Sequence, residues 1–246
     1  MPHGKRMCYS ISIMERKTIQ TLVYEELKKN IMSMRLKPGQ TMSTQEVATK
    51  LGVSRTPVRE AFLQLQSEAL VEMIPQRETV VSRIDLKRVR QEKFIRECLE
   101  LGVVNRFLEG RDEGAIRRMS ELIEVQQACA ANGDYVGVLE ADDQFHKVLF
   151  DATDQQMAWA TITSRNGHYN RLRILFIQTA NAAEDSIRQH RKIIRCLEQE
   201  KPDQIREALT AHIQRLDVDE TGLAAAYPDY FDTGDRNSHE PRIGAF

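Results

Sequence analysis

Long apolar runs are missing from this 246-residue chain. The longest are a few residues, far short of the roughly 20 that span a bilayer, so no membrane partner is expected. The opening MPHGKRMCYSISIMERK has basic residues but no apolar core or small-residue cleavage site, and it reads as a ragged terminus, not a signal peptide. Cysteine is scarce. Cys8, Cys98, Cys129 and Cys196 are widely scattered, which fits reduced thiols in a cytoplasmic protein rather than a disulfide framework. A surplus of one charge is missing as well: 35 Lys/Arg against 36 Asp/Glu leave a net of −1, which argues against a protein that coats nucleic acid. The balance is uneven along the chain. Residues 1–83 hold 13 basic against 8 acidic side chains, and the remainder 22 against 28. A basic head on an acidic body suits contact with DNA through one end.

The head contains the stretch Gln45–Leu65, QEVATKLGVSRTPVREAFLQL. A short apolar-patterned helix ends at Leu51-Gly52-Val53, where Gly52 allows a tight turn. A second helix opens after Ser54, whose hydroxyl is expected to cap it. Val58, Phe62 and Leu65 face inward, leaving Arg55 and Arg59 together on the outside, and Pro57 falls in the first turn, where its missing N–H does no harm. This is a helix-turn-helix whose second helix reads DNA with residues near its N-terminus. Ile19–Met34 reads as a preceding amphipathic helix, ended by Leu36-Lys37-Pro38-Gly39. Ser43 or Thr44 is expected to cap a helix over Gln45–Leu51. Leu70–Ile74 and Thr79–Val81, around Pro75-Gln76-Arg77-Glu78, read as a β-hairpin wing.

Beyond Ser82 strand-like alternation is absent, which excludes an α/β body. The periodicity predicts a long helix from a Ser82 or Asp85 cap to about Leu108, with Leu86, Val89, Phe94, Leu101, Val104 and Leu108 as its apolar points. It then predicts helices over Ala115–Ala131, Tyr135–Phe150, Asp154–Gln178, Ala182–Glu200 and Asp203–Thr221, with Asn181 and Glu184 as a capping box. The expected architecture is mostly α: a winged helix-turn-helix over 15–82, an all-α bundle over 85–222, and a mobile or loosely docked extension over 223–246.

Asp142 and His146 stand four apart on one helix and so share a side, flanked by Val138 and Leu149, which marks that face as inward. His190 falls in the stripe Ile187–Ile194–Leu197, and His212 in Ile205–Leu209–Leu216. Three histidines and an aspartate on three inward faces can hold a divalent transition metal. They can equally form a buried Asp142–His ion pair, because an inward carboxylate is costly unless it is paired or metal-bound. His168 lies near the middle of its expected helix as a candidate pocket residue.

The string Leu51-Gly52-Val53-Ser54-Arg55-Thr56-Pro57-Val58-Arg59-Glu60-Ala61 resembles the GntR family of bacterial transcription regulators. Together with Leu36-Lys37-Pro38-Gly39 and Glu68-Ala69-Leu70-Val71, it carries that resemblance over Ile19–Val81. From Asp85 to Thr221 the chain resembles the FadR-like subgroup with an all-helical FCD ligand-binding domain, through Arg96, Glu100, Asp142-Asp143-Gln144-Phe145-His146, His190 and His212. The resemblance implies metal ligation by Asp142, His146, His190 and His212. It departs from the family at Arg77-Glu78, where a glycine usually follows the arginine, at Ala69 for glycine, and at Gln45, where some relatives have arginine.

The resulting expectation is a homodimeric regulator that binds a palindromic double-stranded operator through Gln45, Ser54, Arg55, Thr56, Arg59 and Arg77. One divalent ion per chain, zinc first with nickel or manganese as alternatives, is expected beside a small carboxylate effector held by Arg96, Arg165 and His168. The rivals are a constitutive DNA-binding protein with a purely structural metal, and a helical metalloenzyme. The enzyme lacks a general base at the metal, since Asp143 points about 100° away from Asp142 on its helix.

Overall fold

The computed structural model of the chain describes residues 17–232 apart from Gln76, Ala180, Val218 and Asp219. The first residues of the expected head and residues 233–246 of the expected extension lie outside the described residues. Helix α1 (Ile19–Met32) begins at Thr18, whose hydroxyl accepts from the Thr21 N–H, and it buries Val23, Leu27 and Ile31. After it come β1 (Thr41–Met42), α2 (Thr44–Leu51), α3 (Arg55–Ser67), β2 (Val71–Met73) and β3 (Thr79–Val81). The antiparallel sheet runs β1-β3-β2, with Thr41 opposite Val80 and Val71 opposite Val81. Strand β1 is too short to leave a trace in the sequence, and its pairing to β3 is what reveals it. Ser43 and Glu46 cap α2 reciprocally, and Gly52 ends it in the left-handed region at φ 66°. The three helices close over Leu27, Ile31, Phe62, Leu65 and Leu70. This is a winged helix-turn-helix.

The body is all helical: α4 (Leu86–Glu109), α5 (Glu113–Ala131), α6 (Tyr135–Ala152), α7 (Gln156–Ser164), α8 (Gly167–Ile177), α9 (Ala182–Glu198), α10 (Pro202–Gln214) and α11 (Glu220–Ala226). Asp85, Asp112 and Asp134 cap α4, α5 and α6 through their carboxylates. Helix α5 packs on α6 and α9, α10 on α9 and α4, and α4 on α8. Among the described residues no helix is long and apolar enough to cross a membrane.

Three local expectations are corrected. The helix expected over 154–178 is two, broken at Arg165–Asn166, because the start of α8 turns under the head: a Cβ on Gly167 would lie 2.5 Å from Leu70 Cδ2. Asn181 takes a left-handed conformation at φ 63° and its side chain caps nothing. Phe94 is 66% exposed, since the inward side of α4 at this level is occupied by Arg96 and Glu100. Part of the segment past residue 222 is docked. Leu223 and Phe231 are buried, the Ile84 N–H donates to the Tyr230 carbonyl (2.7 Å), and the Asp232 N–H donates to that of Ile84 (2.9 Å).

Candidate functional site

Val58, Ala61, Phe62 and Leu65 anchor α3 in the head, so Arg55, Thr56 and Arg59 emerge on its opposite, exposed face. Ser54 sits at the N-cap with extended backbone, but its hydroxyl makes no capping bond, contrary to the sequence expectation; Oγ is exposed at the same end of the helix. Gln45, exposed on α2, donates to Thr49 Oγ1 (3.2 Å). Arg77 is exposed at the hairpin turn, where its N–H meets the Ile74 carbonyl.

Inside the body Asp142, His146, His190 and His212 are all buried, and each brings one donor atom to a group within 4.8 Å. Nε2 of His212 lies 3.1 Å from that of His146 and 3.2 Å from that of His190. Asp142 Oδ1 is 3.4 Å from His190 Nε2 and 3.8 Å from His212 Nε2, and Oδ2 is 3.7 Å from His146 Nε2. Tetrahedral ligands on bonds of about 2.0–2.1 Å stand roughly 3.3 Å apart, so the spacing fits a small divalent ion. The outer nitrogens reinforce this. His190 Nδ1 faces Gln126 Oε1 (2.8 Å), and His146 Nδ1 lies 2.6 Å from Glu100 Oε2, off the best hydrogen-bonding line. With their protons on Nδ1, facing these acceptors, both rings would aim a lone pair at His212 Nε2, which can give a proton to one of them at most. A cation among these atoms relieves that conflict, and acceptors on the outer nitrogens are the usual support for ligating histidines.

The electrostatics agree. Burial opposes charge on Asp142, but Arg173 above all, with the histidines around it, holds its carboxyl well below the usual range. Burial pushes His190 and His212 well below the ordinary imidazole value, leaving neutral rings. Burial likewise opposes charge on Glu100, yet facing His146 and Arg96 brings it down to about 2.

Three arginines surround the cluster. Arg96 Nε donates to Glu100 Oε1 (2.6 Å) and Nη1 to Asp143 Oδ1 (3.2 Å). Arg173 donates to Asp142 Oδ2 and, at 2.8 Å, to Asp143 Oδ1. Arg215 Nη1 reaches Ser186 Oγ (3.0 Å) and His212 Nδ1 (2.8 Å), the latter also 3.1 Å from Gln189 Oε1. Of the three effector positions read from the sequence only Arg96 is here. Arg165 is exposed at the end of α7, and His168 lies at the junction with the head. Arg173 and Arg215 went unread because α8 is buried nearly all round and presents no stripe, while Arg215 lies just past the end of α10. A signal existed in α8: Arg173 interrupts the apolar run Leu172–Ile177.

The pattern described as "Bacterial regulatory proteins, gntR family" matches residues 19–81, and that described as "FCD domain" matches residues 94–215. The chain belongs to the GntR family. This GntR chain is 29% identical over 209 residues to the HTH-type transcriptional repressor RspR of Escherichia coli, covering 85% of this chain and 92% of the relative. It is 26% identical over 162 residues to the gluconate operon transcriptional repressor of Bacillus subtilis, covering 65% and 66%. Its fold matches the solved E. coli McbR/YncC at a TM-score of 0.71 and 22% identity, over 86% of this chain and 99% of the other. RspR and the gluconate operon protein are both named as transcriptional repressors.

In this GntR chain a second buried polar group joins head to body. His168 Nδ1 accepts from the Asp85 N–H (3.0 Å) and Nε2 donates to the Ala69 carbonyl (3.1 Å). Burial, then Arg171, lowers its pKa to about 3, so the ring is neutral. Arg171 Nη1 donates to the Ser82 carbonyl (2.5 Å), Nη2 to Ser82 Oγ (3.1 Å) and Nε to the Gly167 carbonyl (3.1 Å). Glu92 Oε2 accepts the Tyr169 N–H (2.8 Å), and burial raises its pKa to about 7. Its folded value thus exceeds the unfolded one near 4.5. The folded state binds the extra proton, and stability from that proton is complete below about 4.5 and lost as pH rises through 7. Glu92→Gln, which mimics the protonated form, is expected to match the parent at pH 4.5 and exceed it by ~2–3 kcal/mol at pH 8. Denaturant titrations at both values check this, and equal parent–variant differences at the two pH values would refute it.

Proposed function

We propose that this chain is a homodimeric, FadR-like transcription regulator whose hold on a palindromic operator responds to a small carboxylate bound beside a divalent ion. The observation that carries the reading is the convergence of three imidazole nitrogens and Asp142 under buried arginines, in a body fused to a winged helix-turn-helix. Asp142, His146, His190 and His212 would hold the ion, zinc by preference for nitrogen-rich tetrahedral sites, with nickel or manganese as alternatives. When bound, the ion supplies a positive centre for an anionic ligand. Arg96 and Arg173 then orient a carboxylate through their forked N–H groups, and Tyr169, with its ring 6.0 Å and 5.6 Å from their guanidinium carbons, walls the site.

At the other end Arg55 and Arg59 would reach base edges, with Ser54 and Thr56 on phosphate or base, Gln45 on phosphate or adenine, and Arg77 on the backbone from the wing. Arg55→Ala and Arg59→Ala are expected to narrow the gap between operator and random-sequence affinity by about 1–3 kcal/mol each. Gel-shift titrations against both DNAs measure it, and wild-type discrimination in both variants would remove α3 as the reader. Operator affinity that no carboxylic acid alters, in protein carrying its ion, would leave a constitutive DNA-binding protein with a structural metal.

A further inference from the structure

Asp143 follows Asp142 in α6 but turns away from the histidines, and its carboxylate joins Arg96 Nη1 (3.2 Å) to Arg173 Nη1 (2.8 Å). Asp142 and Glu100 are sealed at 2% and 0% side-chain exposure, whereas Asp143 is open at 23%. It lines a cleft of about 330 Å³ between head and body, with Lys29 and Met32 of α1, Ser33 just past its end, Leu139 of α6 and Asn170 of α8. Asn170 Oδ1 accepts from the same Arg173 Nη1 (2.8 Å), so this nitrogen keeps a partner if Asp143 leaves.

Charge sets what takes its place. Around the cluster the carboxylates of Glu100, Asp142 and Asp143 balance the guanidiniums of Arg96, Arg173 and Arg215. A divalent ion leaves that balance two positive charges in surplus, and buried surplus charge is costly unless an anion offsets it. The arginine pair already holds one carboxylate oxygen, Asp143 Oδ1, with one N–H from each guanidinium.

We propose that Asp143 is a tethered stand-in for a ligand carboxylate, occupying the Arg96–Arg173 pair until a small dicarboxylate displaces it. The inference rests on the cluster being the ligand site proposed above, and it adds the charge class of the ligand and the residue that competes with it. Once displaced, the Asp143 carboxylate turns into the cleft beside Lys29 of α1, so admitting the ligand changes the charge on the seat of the head.

Asp143→Asn keeps the shape and removes the competing charge, and Asp143→Ala removes the side chain. The test is calorimetric titration of the full-length, metal-carrying protein with succinate and with acetate, alongside metal content and far-ultraviolet dichroism. Both variants should bind succinate about tenfold more tightly than the parent, ~1.4 kcal/mol, and the parent should prefer succinate to acetate. If the parent binds succinate and the variants bind it equally or more weakly, Asp143 only braces the arginines and the stand-in role is overturned. If acetate binds the parent as well as succinate, the dicarboxylate class is overturned. If the folded, metal-carrying parent binds neither acid, the carboxylate-responsive reading falls and takes this one with it.

Discussion

Replacing His190 with alanine should take the purified protein from about one divalent ion per chain to nearly none, with a loss of several kcal/mol of stability. His190 is fully buried, its Nε2 lies within 3.4 Å of both Asp142 and His212, and Gln126 fixes its outer nitrogen. Removing the ring leaves two histidines, an aspartate and an orphaned Gln126 Oε1 in a sealed site. Chelation of the parent should reproduce much of the loss, because an ion that binds only the folded chain stabilises it by mass action. Its pH dependence follows from the lowered imidazole values of His190 and His212. In the chelated protein these rings cannot take up protons that the unfolded chain binds near 6.5, so stability falls as pH drops below that value. Metal-carrying protein should hold its ion to more acid pH than ordinary imidazoles allow, since protons compete poorly for these nitrogens. Elemental analysis of parent and variant, with thermal melts before and after chelation, gives the result. An unchanged metal content in the variant, or a parent that takes up no zinc, nickel or manganese on titration, would show the cluster to be a buried polar network.

Arg171→Met is the second substitution with a large expected effect, a loss of about 2–4 kcal/mol. Methionine fills much of the space, so the loss comes from polar groups left behind. The Ser82 carbonyl loses its 2.5 Å partner at the point where the chain passes from wing to α4, and the Gly167 carbonyl loses a second bond beside the head. Burial lowers the arginine itself to about 10, and Glu92 is the carboxylate whose charge opposes that shift. Denaturant titration measures the loss, and limited proteolysis should show faster cleavage between Ser82 and Asp85. A change below about 1 kcal/mol with unchanged cleavage would mean the junction is held by apolar packing such as Leu70 on Gly167.

The head was legible because its signals are local: Gly52 at a helix end, Ser43 with Glu46, and an apolar stripe on α3. The four cluster residues were legible for the same reason, each lying on a helix whose inward stripe is continuous. Arg173 was not, because periodicity points inward only when a helix has an outside, and α8 has almost none. His168 was misplaced for a related reason. The break at Arg165–Asn166 arises from the head resting on Gly167, a contact between residues 97 positions apart that leaves no local mark. Ser54 and Asn181 carry capping chemistry that the folded backbone does not use.

His168 has a consequence for leverage. Two of its bonds go to main chain, at Ala69 just past the end of α3 and at Asp85 just before α4, so the ring ties one end of α3 to the body. The other end, with Arg55, moves with the head, in whose core Val58 is fully buried. Thirteen helical residues make an arm of about 20 Å, and a tilt of about 5° at the pinned end moves the far end by roughly 1.7 Å. Hydrogen bonds to bases fail over about 0.5 Å. If α3 reads DNA as proposed, a change of a few degrees where the body grips the ring would be enough to carry Arg55 out of register, and the arm would amplify small motions in the bundle into the difference between contact and none.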